Sequence, residues 1–422
     1  MLLPKKVNNL HYDFYFDETF HDRKITVSQD GIVNSLIQDK NDSYLGVFLG
    51  IASNKKTIKK QLIVLEDKYK KILGKEEEFK STTFKRSNFT YGIKSFQKNT
   101  FAFYSEFFSI LEKNSLIIHV NATSKLELLF RYLFDIRLVT QIPGVYPNAF
   151  YYSLTKFVYN YHSPALFSAL YMSVKTKDYE LFQNELLKHI KCAIEAFDGI
   201  ERKEREIHAR KQLYDIISIY DFENELDNKY SFIYQQIFEG LQRLLHELRI
   251  PVGKTNITID QEEKTFNASR GIAFHSVRQT DSKNSIFLRA TDHLCGFLGR
   301  FMYALMNDAA IKEDKIADIS HLSEYDITRK HLLSTMWFDL QEKHFVLYKK
   351  IYKVLIEQQG SYWSTMTFSY SDQIVAFYSF LRYIASYESY SEYKTCSLED
   401  HSERYNSACC YDLERAFREL MQ

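Results

Sequence analysis

A short aromatic run that ends in two adjacent carboxylates lies close to the N-terminus, where residues 14–18 read Phe-Tyr-Phe-Asp-Glu. Aromatic residues at this density favour a β-strand. If Asp17 points to the buried face of that strand, its lone carboxylate costs several kcal/mol unless a partner offsets the charge. A divalent cation is one such partner, because hard cations take oxygen ligands. The alternative is that Asp17 and Glu18 simply begin a solvated turn.

The composition indicates a mainly helical protein with more than one structural unit. The chain has 422 residues, of which 45% are hydrophobic, so it can bury a sizeable core. This length suggests two or three units. Only 13 glycines and 5 prolines are present, which argues against a turn-rich all-β protein.

Charge is balanced overall but uneven along the chain. The formal net charge of +1 excludes a globally basic nucleic-acid-binding protein. Residues 55–98 nevertheless contain 13 Lys and Arg against 5 Asp and Glu, a local excess of +8. Such a segment can follow nucleic-acid phosphates. A solvated helix face is the competing interpretation, and for a charged run it is the favoured one.

The sequence predicts a cytoplasmic protein. Its five cysteines are scattered at positions 192, 295, 396, 409 and 410 without the spacing of metal ligands, which suits a reducing compartment. The N-terminus has no apolar signal segment. No apolar run approaches the roughly 20 residues that a membrane-spanning helix needs, so no membrane partner is expected.

Patterns along the chain indicate an α/β region, a helical region and a return to strand character. Strands are predicted at 14–18, 24–27, 44–52, 116–120 and 256–260. Helices are predicted at 58–72 and 126–136, almost throughout 148–250, with a strong amphipathic helix at 230–248, and from 288 to the C-terminus. Gly74 is the expected end of the first helix, and Asn121 or Thr123 the expected cap of the second.

Two later acids, like Asp17, lie next to apolar runs that are expected to be buried. Asp260 ends the β-branched run at 256–260, and Asp292 lies in an apolar helical stretch on the same face as Leu288 and Cys295. Two strand-end acids and one helix acid suit a metal-assisted phosphodiester hydrolase, in which two cations about 4 Å apart activate water and stabilise the leaving oxygen. Mg²⁺ fits such a site, since it is held by one or two carboxylates and by substrate phosphates.

A fourth candidate acid lies in the run Glu76 to Glu78. Alternation along a strand puts Glu78 and Lys80 on the same side, where Lys80 can hold a phosphate or stabilise developing charge. On spacing alone, an ordinary solvated acidic run is the favoured interpretation.

These motifs, in this order, resemble the family catalogued as domain-of-unknown-function family 3800, whose members occur in bacteria and phages and are in some cases linked to phage defence. The motifs are Phe-x-Asp-Glu, Glu-x-Lys, a strand ending in Asp, Asp-Ser-Lys and Ala-x-Asp-His-x-x-Gly. They fall on Asp17 and Glu18, Glu78 and Lys80, Asp260, Asp281 to Lys283, and Ala290, Asp292, His293 and Gly296.

The resemblance implies an α/β (α+β) fold of the RNase H-like type, with a mixed sheet of about five strands flanked by helices. Asp17 would lie on the first strand, Asp260 at the end of a later strand and Asp292 on the closing helix. The predicted units are an RNase H-like core at 1–140 and 231–305, a helical insertion at 141–230 and a helical C-terminal unit at 306–422.

The sequence departs from the family pattern at two places. Thr19 and Phe20 stand where a Ser or Gly often follows the first Asp-Glu pair, and Arg289 stands where the family usually has Gln. Arg289 either alters substrate contact or packs its aliphatic stem.

Two histidines need separate consideration. His189 and Cys192 have the spacing of half a zinc site, but no second half is evident. His293, next to Asp292, is either a proton shuttle or a group that supports a ligand. A histidine satisfied by a backbone carbonyl is the favoured interpretation.

The first functional hypothesis is a metal-dependent nuclease that cleaves RNA or DNA in anti-phage defence. Its Mg²⁺ or Mn²⁺ would be held by Asp17, Asp260, Asp292 and Glu78, with Lys80 acting beside them. Substrate phosphates would be contacted by Lys283, Lys85, Arg86 and Arg289.

The second hypothesis, from a different class, is a non-catalytic RNase H-like scaffold that binds a protein partner through its helical parts. A nuclease that stays inactive until such a partner binds is a third interpretation. The chain is compatible with an oligomer in each case.

Overall fold

The structure is a computed structural model that describes residues 11–19, 43–52, 55–75, 78–222, 234–309, 332–358, 364–366 and 370–419. The predicted strand at 24–27 lies outside these residues. The described part has a mixed α/β fold. None of its helices is both long and apolar enough to cross a membrane.

Six strands form one mixed sheet in the order β5-β4-β1-β2-β3-β6. Their bounds are β1 Tyr12–Thr19, β2 Ser43–Ile51, β3 Ile117–Ser124, β4 Thr255–Ile259, β5 Ser276–Gln279 and β6 Ser364–Met366. β2 is antiparallel to both of its neighbours, β1 and β3. The pairs β1–β4, β4–β5 and β3–β6 are parallel.

The described residues also form fifteen α-helices. They are α1 Lys55–Leu73, α2 Lys98–Asn114, α3 Lys125–Leu133, α4 Ile136–Val139, α5 Pro147–Tyr161, α6 Pro164–Thr176, α7 Glu180–Phe197, α8 Glu204–Ile219, α9 Gln236–Glu247, α10 Glu263–Ser269, α11 Ile286–Ala309, α12 Glu342–Tyr352, α13 Asp372–Ala385, α14 Tyr390–Tyr393 and α15 Leu398–Glu419. A π-helical turn, Lys353–Glu357, continues α12.

Side-chain alternation gives the sheet two buried faces. Tyr15 of β1 and Val47 of β2 point to the side here called face A, which shares one hydrophobic cluster with α1, α2, α11 and the C-terminal helices. Phe16 and Phe48 point to the opposite side, face B, which α9 covers. The Phe238 ring of α9 lies 5.7 Å from that of Phe48. The sheet is therefore the middle layer of three.

A second hydrophobic core lies in helices α3 to α8. Its buried residues run from Leu126 to Tyr220, so this helical unit starts with α3, upstream of the predicted boundary at 141. Helices α12, α13 and α15 do not form a core of their own, because their buried side chains belong to the cluster on face A. The predicted C-terminal unit therefore shares the core on face A, where its helices pack against α2 and α11, and it adds the edge strand β6 to the sheet.

Local predictions had mixed outcomes. α1 ends as predicted at Gly74, which has a φ of +60° that glycine adopts without strain. The predicted caps Asn121 and Thr123 are wrong, because β3 continues through them. Ser124 is the cap of α3, and its side chain accepts a hydrogen bond from the backbone N–H of Glu127. In the predicted helix 230–248, α9 begins at Gln236, and residues 223–233 lie outside the described part.

Candidate functional site

Strand register brings two of the predicted acids side by side. β1 and β4 are parallel neighbours, and Phe16 lies opposite Ile259. The next residues along the two strands are Asp17 and Asp260. Because alternate side chains share a face, Asp17 points to face A together with Tyr15. The two carboxylates therefore meet at one end of the central strands.

Backbone N–H groups fix the carboxylate of Asp260. Its Oδ1 accepts hydrogen bonds from the backbone N–H of Gln261 at 2.9 Å and from that of Ser282 at 3.1 Å. Ser282 begins the short 3₁₀ turn Ser282–Asn284, which Asp281 caps by accepting from the N–H of Lys283. The Asp-Ser-Lys motif is thus a turn that orients Asp260.

Helix α11 carries the third acid across face A. The Phe287 ring packs 4.8 Å from that of Tyr15, which anchors the start of the helix on β1. Further along α11, both carboxylate oxygens of Asp292 accept hydrogen bonds of 2.7 Å from Ser81, one from its backbone N–H and one from its hydroxyl. Sequence analysis did not single out Ser81.

Gly296 makes the contact between Ser81 and α11 possible. A Cβ atom at position 296 would lie 2.4 Å from Oγ and 2.5 Å from Cβ of Ser81. Only glycine therefore lets the segment around Ser81 approach closely enough to bond Asp292. This gives a physical reason for the last residue of the Ala-x-Asp-His-x-x-Gly motif, and that spacing was the available sequence signal for the contact.

Asp17 is a half-buried carboxylate among other carboxylates. Burial raises its pKa well above the usual value of 3.8, and the negative charges of Asp292, Asp260 and Glu18 raise it further. The backbone N–H of Glu18, which donates to Asp17 Oδ1 at 2.8 Å, opposes the shift. Within the described residues no lysine, arginine or histidine forms an ion pair with Asp17. Its charge is therefore largely uncompensated.

Glu78 and Lys80 lie beside this cluster, but not on a strand as predicted. Residues 78–80 belong to no strand of the sheet, and Phe79 between them is buried among other aromatic rings. Lys80 Nζ lies 3.2 Å from Glu78 Oε2. The other oxygen of Glu78, Oε1, is buried and has no hydrogen-bond partner among the described residues.

The neighbouring acids stabilise the charged form of Lys80. Desolvation works against the ammonium group, yet the hydrogen bond and charge of Glu78, with the charges of Asp260 and Asp292, raise its pKa. Lys80 is therefore a cation that faces Glu78, Asp260 and Asp292. Its side chain is 48% exposed, so it remains accessible to a ligand.

His293 is held by a backbone carbonyl, as the favoured interpretation predicted. Its Nε2 lies 3.1 Å from the carbonyl oxygen of Phe79. Burial lowers the pKa of His293 to about 4. The ring is therefore neutral near pH 7, which disfavours a role as proton shuttle at that pH.

The four predicted substrate-binding residues occupy different environments. Lys283 and Lys85 are exposed, and the exposed Arg86 lies with its guanidinium 5.0 Å from the Tyr303 ring centroid. Arg289 is occupied by protein groups instead. Its Nε lies 2.8 Å from Glu66 Oε2, and its Nη1 donates to two backbone carbonyls. The structure therefore favours a packing role for Arg289 over contact with phosphate.

The basic segment 55–98 is partly neutralised by the fold. Lys55, Lys68, Lys70, Lys80 and Lys94 each form an ion pair with a protein carboxylate. The segment is therefore not one continuous track of unpaired positive charge.

The donor set suits a hard cation, because it consists of carboxylates and includes the partnerless oxygen of Glu78. Among the described residues, however, no group of three or more acidic, histidine or cysteine side chains is arranged to hold a metal ion as it stands. Both oxygens of Asp292 already accept hydrogen bonds from Ser81. Binding a cation there requires Asp292 to turn or to share those contacts.

The candidate half zinc site is part of the helical packing. His189 Nε2 lies 2.7 Å from Ser163 Oγ, and its Nδ1 lies 2.9 Å from the carbonyl of Glu185. Ser163 caps α6 by accepting from the N–H of Leu166. Cys192 is exposed. The interactions of His189 are therefore explained by its contact between α6 and α7.

Comparisons of the chain with models of protein families, with curated proteins and with solved structures yield no match.

Proposed function

We propose that this protein is a divalent-metal-dependent nuclease that hydrolyses phosphodiester bonds in RNA or DNA. The observation that carries the proposal is that the half-buried Asp17 lies next to Asp260 and Asp292, with a raised pKa and without an ion pair to a cation in the described residues. Uncompensated buried carboxylates are costly, and strongly perturbed acids cluster at functional sites. A bound divalent cation would offset their charge.

The sheet supports an RNase H-like core for this nuclease. Along β3-β2-β1-β4-β5 only β2 runs against the others, and the central strand β1 carries the first acid. The acids Asp260, at the end of a neighbouring parallel strand, and Asp292, on a helix packed across the sheet, are where the resemblance to the family expects them. Membership of the family, and a role in phage defence, stay predictions that rest on the motifs.

Each residue has a separable role in the proposed reaction. Asp17, Asp260, Asp292 and Glu78 would hold Mg²⁺ or Mn²⁺, which when bound would activate water and stabilise the leaving oxygen. Lys80 would contact a phosphate oxygen from the accessible side of the cluster. Lys283, Lys85 and Arg86 would attract the nucleic-acid backbone. The exposed cations thus act on binding, and the half-buried acids act on chemistry.

A non-catalytic scaffold is the second candidate function. The double hydrogen bond from Ser81 to Asp292 favours it, since it satisfies one of the acids without a cation. In that case the helical unit and the C-terminal helices would bind a protein partner. A third candidate combines the two functions: a nuclease that becomes active when a protein partner releases Asp292 from Ser81.

The test is cleavage of labelled single- and double-stranded RNA and DNA with Mg²⁺ or Mn²⁺, compared between the wild type and Asp260→Asn. Glu263→Gln, an exposed acid nearby, is the matched control. We expect cleavage by the wild type and the control and none by Asp260→Asn. We also expect metal at 100 times its Kd to stabilise the wild type by about 2.7 kcal/mol.

The failures of this test are distinguishable. Without cleavage and without metal-dependent stabilisation, the scaffold is the better description. Stabilisation by metal without cleavage instead indicates a nuclease that requires an activator.

A further inference from the structure

We infer that Arg289, held by Glu66, is a positioning residue that fixes Asp260 through the turn Ser282–Asn284. The inference rests on the proposed nuclease function and adds residues that touch neither metal nor substrate. It also replaces the interpretation of Arg289 as a phosphate contact. Its basis is a chain of hydrogen bonds that runs from α1 through α11 to Asp260.

The first part of the chain joins Arg289 to the turn. Arg289 lies one helical turn before Asp292 on α11. Its Nη1 donates to the carbonyl of Ser282 at 2.6 Å and to that of Lys283 at 2.9 Å. One guanidinium nitrogen thus binds two consecutive carbonyls. This limits rotation of the two peptide units that meet at Lys283.

The second part joins the turn to the acid. The N–H of Ser282 donates to Asp260 Oδ1 at 3.1 Å, and Asp281 accepts from the N–H of Lys283. The turn is therefore fixed by its carbonyls on one side and by its N–H groups on the other. Without Arg289 the turn keeps its own backbone hydrogen bonds, such as that from the N–H of Ser285 to the carbonyl of Ser282, but it loses its side-chain tie to α11. We therefore expect the N–H of Ser282 to be held less firmly against Asp260.

Glu66 keeps the guanidinium in this position. Its Oε2 accepts from Arg289 Nε at 2.8 Å, and its Oε1 pairs with Lys70 at 2.9 Å. The side chains of Arg289 and Glu66 are only 13% and 8% exposed. Burial of an ion pair carries a desolvation cost that an apolar pair of the same size avoids. A planar guanidinium can bind a carboxylate and two carbonyls at once, which a lysine ammonium with its different geometry does not reproduce.

The pattern of contacts predicts a kinetic signature. A residue that orients a metal ligand changes kcat and the metal requirement, and such changes are typically 10- to 100-fold. A residue that contacts substrate phosphate raises KM and reduces the salt dependence of binding by about one phosphate contact. The two roles are therefore separable in one set of measurements.

The experiment compares Arg289→Met, Arg289→Lys and Glu66→Gln with the wild type in kcat, KM, salt dependence and the Mn²⁺ concentration for half-maximal activity. Lys70→Met is the matched control, because Lys70 shares Glu66 but does not touch the turn. We expect kcat to fall about 10- to 100-fold in Arg289→Met, with a similar rise in the Mn²⁺ requirement and an unchanged KM. Glu66→Gln should follow in the same direction, Arg289→Lys should recover only part of the loss, and Lys70→Met should match the wild type.

A double variant separates positioning from stability. Glu66→Leu with Arg289→Met replaces the ion pair by an apolar pair, which is expected to restore the melting temperature. It does not restore the hydrogen bonds to the turn, so kcat should remain as low as in Arg289→Met. Recovery of kcat together with the melting temperature would show that the pair serves stability only, and would overturn the inference.

The remaining outcomes are also decisive. Wild-type kcat in Arg289→Met, or a raised KM with a smaller salt dependence, overturns the positioning role while leaving the nuclease intact. A wild-type protein that neither cleaves nor gains stability from Mn²⁺ overturns the proposed function, and the inference with it.

Discussion

Acids removed from solvent have opposite surroundings in two regions of this protein, buried in one and half-buried in the other. Where the helical unit meets the C-terminal helices, Asp372 pairs with Lys156 at 2.9 Å and accepts from the Tyr152 hydroxyl at 2.7 Å. Glu127, fully buried in α3, pairs with Arg131 at 2.7 Å. In the cluster around Asp17, by contrast, acids face other acids, and the half-exposed Lys80 lies beside Glu78, Asp260 and Asp292.

The difference indicates what each region is for. A buried acid with a basic partner and hydrogen bonds fixes how two elements pack, and removing one partner leaves an uncompensated charge. A desolvated acid among other acids destabilises the fold, so it persists where the destabilisation serves another purpose. The interface therefore holds the molecule together, and the cluster around Asp17 is available for a ligand.

The largest effect is expected from Asp17→Asn. Loss of a metal ligand should reduce cleavage about 10³-fold or more, since the metal contributes several kcal/mol to the transition state. Without metal, stability should stay the same or increase, because repulsion among the carboxylates is relieved. Cleavage assays and urea unfolding in EDTA measure the two effects. Wild-type cleavage by this variant would remove Asp17 from the mechanism.

The same substitution at the interface should have the opposite effect on stability. Asp372→Asn leaves Lys156 without its counterion, and we expect a loss of about 2 kcal/mol in the free energy of unfolding, less than for a fully buried pair because Lys156 is partly exposed. Asp178→Asn, at an exposed acid, should stay within about 0.5 kcal/mol. Equal stability of the Asp372 and Asp178 variants would show that the interface pair is not what holds the two helical parts together.

The pH dependence of stability should also distinguish the cluster. The pKa of Asp17 is raised in the folded protein above its unfolded value near 3.8. Between the two values the folded chain holds a proton that the unfolded chain has released, so wild-type stability falls as pH rises through this window. Each pH unit between the two pKa values is worth about 1.4 kcal/mol. Urea unfolding without metal should therefore show the advantage of Asp17→Asn growing from pH 4 upward. An advantage that does not change with pH would argue against a raised pKa.

Sequence patterns were sufficient for several of the elements near the acids. Strands β2 and β4 and helix α1 agree with their predicted ranges within a few residues, because each has a clear hydrophobic period and a turn residue or acid at its end. The edge strand β5 was missed, since Ser276–Gln279 contains a single apolar residue. An amphipathic pattern also shows that α12 and α13 bury one face but not that this face packs against α2 and α11.

The contacts that shape the site were not predictable in the same way. Ser81 and Asp292 are 211 residues apart, and Glu66 and Arg289 are 223 residues apart. No local pattern records such pairs. For the pair of Ser81 and Asp292, the sequence signal was Gly296, because its missing side chain makes room for Ser81. For Arg289 the sequence favoured neither of two roles. A cation next to a candidate site suggested phosphate binding, and only the structure shows its carboxylate and carbonyl partners.

The smallest effect concerns the exposed cations near the cluster. Lys85 is exposed, so Lys85→Ala should change the free energy of unfolding by less than about 0.5 kcal/mol. If Lys85 contacts a phosphate, the slope of log K for nucleic-acid binding against log salt should become shallower by about 0.7 to 0.9. Lys191→Ala, on the exposed side of α7, should leave the slope unchanged. Identical slopes for Lys85→Ala and the wild type would mean that nucleic acid, if bound, approaches from another side. The two regions would then differ only in the surroundings of their acids. A paired cation such as Lys156 contributes to the free energy of unfolding whether or not a substrate is bound.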